Sequence, residues 1–238
     1  MLEFNEKTGV MTWKIVYYGP ALSGKTTNLL TLHDLIPESK RGLMMQAETK
    51  QDRTLFFDLL PLAFQTRTGA KLKIKLFTVP GQVQYNATRK SVLMRSDGVV
   101  FVADSQKSQT LHNSESFSDL EENAYQVGMN LEKMPLVVQF NKRDLPPEII
   151  QGEPAILAKW ERSGVPVCFA SALYGKGVKE TFSAIISEVC QSMQDQYHIH
   201  ERFGISCSEL ISYLNAGPEV KDSEVIAGAA GIGFGKSY

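Results

Sequence analysis

Gly19-Pro-Ala-Leu-Ser-Gly-Lys-Thr26 is the stretch on which the fold is read. It fits the spacing G-x-x-x-x-G-K-[ST] and sits where such a loop has to sit. The apolar run Trp13-Lys-Ile-Val-Tyr-Tyr18 before it reads as a strand. A helical pattern from about Gly24 to Leu35 follows, closed by Pro37. In that context the backbone N–H groups of the loop converge on phosphate oxygens, helped by the partial positive charge at the start of the helix. The expected nucleotide contacts are Gly19, Ala21, Leu22, Ser23, Gly24, Lys25, Thr26 and Thr27. Lys25 has the reach for the β- and γ-phosphates, and the Thr26 hydroxyl for Mg²⁺. The loop alone leaves ATP and GTP both open.

Working outward, short apolar runs alternate with helix-like patterns, the signature of βα units around a mostly parallel sheet. Leu55 to Phe64 and Lys71 to Val79 read as a strand pair turning at Thr68-Gly69. In the second of these, Lys71, Lys73 and Lys75 alternate with Leu72, Ile74 and Leu76, so one face is partly solvated. Gly98 to Ala103, Pro135 to Phe140 and Val165 to Phe169 read as buried strands. Helical segments lie around Ser116 to Val127 and Ala155 to Arg162. A last helix carries Val178, Phe182, Ile185, Ile186, Val189 and Met193 along one side. The expectation is an α/β P-loop domain over residues 1–197, with about six strands and five helices. From His198 the pattern decays, and Ile226 to Gly235, small and glycine-rich, reads as a flexible tail, so residues 198–238 are taken as a C-terminal extension.

The 238 residues suffice for one such domain, and 43% hydrophobic with 21% charged residues is the profile of a folded globular chain. A formal net charge of −1 gives no global field for nucleic acid or an anionic membrane. No apolar run approaches the length of a membrane span, and the ends carry no secretory or lipidation signal, so a cytoplasmic protein is expected. Cys168, Cys190 and Cys207 form no metal-ligand spacing, and Cys168 and Cys190 read as small core residues of a reducing compartment.

The choice of base comes from Asn141-Lys-Arg-Asp144 at the end of a strand. Ras-like proteins carry N-K-x-D there to read guanine. Asp144 can accept from the N1–H and 2-amino groups, which adenine does not offer as a pair. Asn141 can bond near O6 and N7, and the Lys142 stem can lie across the base. Ser171-Ala172, after the next strand, matches the element whose alanine N–H donates to guanine O6 in Ras-like proteins. Thr78-Val-Pro-Gly-Gln82 stands where those proteins carry D-x-x-G-Q. Gly81 can turn its N–H toward the γ-phosphate, and Gln82 can orient the attacking water.

The chain thus resembles the bacterial gliding-motility and cell-polarity GTPases of the MglA type. The stretches that carry the likeness are Lys14-Ile-Val-Tyr-Tyr-Gly-Pro20, Asp52-Arg-Thr-Leu-Phe-Phe-Asp58, Thr78 to Gln82, Gly98-Val-Val-Phe-Val-Ala-Asp-Ser-Gln106 and Asn141 to Pro146. They fall within residues 10 to 195. The resemblance implies a GTP/GDP switch whose GTP form is recruited to a cell pole and engages motility or polarity effectors. It also implies a roadblock-type dimeric activating partner. Arg53 matches an intrinsic arginine finger and Thr54 a switch I threonine at the nucleotide and metal. Thr78 replaces the usual aspartate near the metal, a replacement the family shares, and removes one negative charge there.

Ala21 departs from the glycine usual at its position and crowds the space where Gln82 and an arginine meet the γ-phosphate. Slow hydrolysis is expected. A GTP-binding interaction scaffold with little or no turnover is the alternative. A P-loop ATPase or nucleoside kinase is disfavoured by Asn141-Lys-Arg-Asp144 and by the lack of an arginine-rich lid.

Overall fold

The structure, a computed structural model, describes residues 3–5, 7–47, 57–66 and 69–215. Strands β1 (Glu3–Asn5), β2 (Val10–Tyr18), β3 (Met45–Ala47), β4 (Phe57–Gln65), β5 (Lys71–Thr78), β6 (Gly98–Asp104), β7 (Leu136–Asn141) and β8 (Val167–Phe169) form one sheet. Its order is β3-β4-β5-β2-β6-β7-β8, with β1 pairing antiparallel to the first residues of β2. Pairs β2–β5, β2–β6, β6–β7 and β7–β8 are parallel, and β3–β4 and β4–β5 antiparallel. The sheet therefore has eight strands among the described residues rather than six. The two extra ones, β1 and β3, are three-residue edges without readable alternation.

Helices α1 (Lys25–Leu35), α2 (Asn86–Leu93), α3 (Thr110–Gln126), α4 (Glu153–Trp160) and α5 (Val178–Tyr197) cover the two faces. The period of two along β2 explains how: Met11, Trp13, Ile15 and Tyr17 join Leu29 and Leu32 of α1 and the apolar stripe of α5. Val16 and Tyr18 point the other way, into a second core with Val92 and Leu93 of α2 and Leu120 and Ala124 of α3. The alternation of β5 is reproduced, with Leu72, Ile74 and Leu76 buried and the lysines between them half-buried. Trp13 is 0% exposed, and its indole N–H finds no acceptor among the described residues, a cost that the surrounding apolar burial offsets.

Where the sequence pattern decays, the chain still folds. Helices α6 (Ile199–Phe203) and α7 (Cys207–Asn215) pack onto the first core, burying Ile199, Ile205 and Leu210. Each of these is worth about 1.5–3 kcal/mol of burial. Phe203 meets Phe4 of β1 with ring centroids 4.5 Å apart. A disulfide joins Cys190 to Cys207, with Cα atoms 5.7 Å apart. Cys190 is thus buried as expected, but it is a bonded partner of Cys207 and not only a small core residue. Cys168 is the free cysteine. Residues 226–235 lie outside the described residues. No helix among the described residues is long and apolar enough to cross a membrane.

One acidic group titrates unusually. Asp97 accepts a hydrogen bond from the Lys14 backbone N–H at 2.8 Å, yet burial raises its pKa from 3.8 to about 6. Between those values the folded state holds a proton that the unfolded state has released. Stability is therefore fully present below the ordinary carboxyl pKa and falls as pH rises to about 6, by roughly 1–3 kcal/mol. Asp97→Asn keeps an acceptor for Lys14 without the buried charge. It is expected to raise the melting temperature at pH 7.5 and to flatten this part of the pH–stability profile, measured by thermal denaturation beside the parent.

Candidate functional site

The site lies at the carboxyl ends of the parallel strands, where β2, β5, β6, β7 and β8 all deliver loops. β2 runs straight into the phosphate loop. Positive φ at Leu22 (62°) and Gly24 (98°) coils that loop, so the Leu22 side chain projects outward, 88% exposed, while its backbone stays in the turn. Lys25 is buried, its ammonium donating to the carbonyls of Gly19 at 2.9 Å and Pro20 at 2.6 Å. Burial first, and then the nearby Arg89 charge, lower its pKa to about 7, against a raising effect of Asp58. A phosphate anion would restore the ammonium, since an opposite charge favours the charged form.

Thr26 and Thr78 come together, and they do so on a residue to which sequence reading gave no place at the site. The Thr26 hydroxyl donates to Asp58 Oδ2 at 2.6 Å, and the Thr78 hydroxyl donates to the same oxygen at 2.8 Å. Asp58 is 3% exposed, and its own backbone N–H donates to Thr78 Oγ1 at 3.0 Å. The negative charge missing from Thr78 thus comes from β4, across the antiparallel β4–β5 pair. Two hydroxyls and a carboxylate at the end of a phosphate loop are all-oxygen donors, the chemistry a hard divalent cation takes.

Gly81 packs against the loop. A Cβ there would lie 2.2 Å from the Ala21 nitrogen and 2.5 Å from its Cα, so only glycine allows this approach. Gln82 follows with an exposed side chain, whose Oε1 accepts from Gln84 at 3.1 Å. Arg53 and Thr54 lie outside the described residues.

On the base side, Asn141 is 3% exposed and ties two loops together. Its Nδ2 donates to the Ser23 carbonyl at 2.8 Å, and its Oδ1 accepts from the Ala172 N–H at 2.9 Å. Both groups read as facing guanine, the Asn141 amide and the Ala172 N–H, are engaged with each other here. Gly24 is tight for the same reason: a Cβ would stand 2.2 Å from Asn141 Nδ2. Lys142, at φ 67°, donates to Asp104 Oδ2 at 2.6 Å. Asp104, buried at the end of β6, steadies the stem expected to flank the base. Asp144 is exposed and Ser171 buried, with the Ser171 N–H closing its loop on the Lys176 carbonyl at 2.9 Å. Thr31 of α1 donates to the Ala172 carbonyl at 2.7 Å, locking the loop after β8 to the helix of the phosphate loop.

Asp58 and Asp104 both lie in stretches that carry the family likeness, but spacing along the chain gives neither a role. Only strand pairing brings each to its partner.

The sequence is similar to those of known proteins. The family of the elongation factor Tu GTP binding domain matches residues 13–191. The mutual gliding-motility protein MglA of Myxococcus xanthus (strain DK1622) is 42% identical over 181 residues, covering 76% of this chain and 92% of that protein.

Proposed function

The chain belongs to the P-loop GTPases that share the elongation factor Tu GTP binding domain, and from that premise we propose a small guanine-nucleotide switch of the gliding-motility and polarity type. The observation that carries the reading is the double engagement of Asn141, which locks the phosphate loop to both base-reading loops. A site built this way holds phosphate and base as one rigid unit.

Residues 1–197 form the switch domain, and residues 198–238 its extension. Gly19, Ala21, Leu22, Ser23, Gly24 and Thr27 frame the phosphates, and Lys25 pairs with them. Thr26, Thr54 and Thr78 would hold the metal side, with Asp58 accepting from the Thr26 and Thr78 hydroxyls and adding negative charge beside them. Mg²⁺ held there would supply positive charge against the phosphates. Gly81 presents its N–H to the γ-phosphate, and Gln82 orients water. Arg53, assigned from the resemblance, supplies a positive charge to the transferring phosphoryl group. Asn141, Lys142, Asp144, Ser171 and Ala172 select guanine. The protein works in the cytoplasm and at a cell pole, with a roadblock-type dimer stimulating slow turnover and polarity or motility effectors reading the GTP form. The scaffold alternative draws on Ala21, whose methyl group stands where glycine is usual, and on Thr78 in place of the aspartate.

The test is nucleotide binding and single-turnover hydrolysis, GTP beside ATP, on the purified chain. Selective GTP binding is expected, with turnover lowered roughly a hundredfold in Gln82→Ala and comparably in Arg53→Ala. Ala21→Gly is expected to raise the rate several-fold. Selective binding with no turnover, even with a roadblock-type partner added, would establish the scaffold. Equal competition by ATP would remove the guanine assignment.

A further inference from the structure

Arg89, in α2, is 4% exposed. One guanidinium nitrogen donates to the Gln82 carbonyl at 2.5 Å. The other terminal nitrogen donates to Asp119 Oδ1 at 3.2 Å, and Nε lies 2.9 Å from Asp119 Oδ2. Asp119, on α3, is held in turn: the Tyr18 hydroxyl donates to its Oδ2, and so does Asn123 Nδ2 at 3.1 Å. Asn123 Nδ2 also reaches the Tyr18 hydroxyl, at 2.9 Å. Tyr18 is the last residue of β2 and precedes the phosphate loop directly. A continuous polar chain thus runs from that strand through α3 and α2 to the backbone of Gln82.

A buried ion pair of this kind is weak evidence for stability, because desolvation offsets most of the attraction. Its geometry is specific instead. A guanidinium is a planar fork, here spanning a carboxylate on one side and a carbonyl on the other, which a lysine ammonium cannot match. The Gln82 carbonyl also accepts from the Tyr85 N–H at 3.2 Å, so the fork grips the turn that leads from Gln82 into α2.

We propose that Arg89, braced by Asp119, is a positioning residue that fixes the backbone of Gln82 and so sets where its side chain holds the attacking water. The proposal rests on the GTPase reading and deepens it. A misplacement of about 1 Å at such a group costs on the order of a hundredfold in rate.

The test is a double-mutant cycle on the full chain with Arg89→Lys and Gln82→Ala, reading single-turnover hydrolysis, GTP and GDP affinity, and amide hydrogen exchange over residues 81–86. Arg89→Lys is expected to slow hydrolysis tenfold or more, leave both affinities within about threefold, and speed exchange in that segment. In the Gln82→Ala background it should slow hydrolysis less than twofold, because the positioned group is gone. Should Arg89→Lys fold poorly, Asp119→Asn is expected to give the same pattern. Equal slowing in both backgrounds, or unchanged exchange over 81–86, would overturn the proposal. Should the parent protein bind GTP without hydrolysing it, the enzymatic reading fails, and the exchange measurement alone decides whether Arg89 holds the segment.

Discussion

Replacing Asp58 by asparagine is expected to raise the Mg²⁺ concentration that half-saturates GTP retention by about ten- to a hundredfold, the usual effect of losing a group that orients a metal's ligands. Asparagine keeps the shape and one acceptor oxygen, so the Thr26 and Thr78 hydroxyls retain a partner while the charge is lost. The change therefore isolates electrostatics from packing. GTP release from a fluorescent analogue, followed across a Mg²⁺ titration, gives the midpoint directly. Release in excess chelator should match the parent protein, because that rate reports phosphate-loop and base contacts alone. A midpoint that does not move would mean that Asp58 merely satisfies two hydroxyls.

Asn141→Ala is expected to do two things together: lower GDP affinity more than a hundredfold and destabilise the fold by roughly 2–4 kcal/mol. The second effect follows from leaving the Ser23 carbonyl and the Ala172 N–H without their partner in a buried place, at about 1–3 kcal/mol each. Asp144→Ala is the contrast. Asp144 is exposed, so its removal should leave the melting temperature within a degree or two and strike only the preference for guanine over adenine. Calorimetric binding and thermal denaturation of both variants separate a residue that builds the site from one that reads the base. If Asn141→Ala keeps its stability, the clamp between the loops is not what holds them.

The features legible from sequence were those written in consecutive residues. Alternation exposed β5, apolar runs exposed β6 and β7, and the stripe of α5 was legible to the residue, since Val178, Phe182, Ile185, Ile186, Val189 and Met193 are all buried. The loops after β2, β5, β7 and β8 could be placed because a parallel sheet delivers every such loop to one edge. What stayed hidden depends on pairing. Asp58 reaches Thr78 because Leu59 stands opposite Phe77, a register that nothing in either strand announces. Cys190 finds Cys207 only because α7 turns back along α5, and five-residue α6 is too short to show a period. Likewise β1 exists because β6 pairs with β2 only from Ile15 onward, leaving the flank of residues 10–12 open to it.

The buried indole of Trp13 gives the molecule an optical property. The chain has two tryptophans, and their surroundings differ in kind. Trp13 sits in the apolar core on the strand that feeds the phosphate loop, whereas Trp160 is half-buried at the end of α4, edge-on to Phe117 at 5.4 Å. A fully buried indole in apolar surroundings emits at short wavelength, and dissolved iodide does not reach it. Trp160 emits to the red and is open to quenching. The native fluorescence therefore divides into an inner signal that reports the integrity of β2 and an outer one that reports the rim, with no label attached.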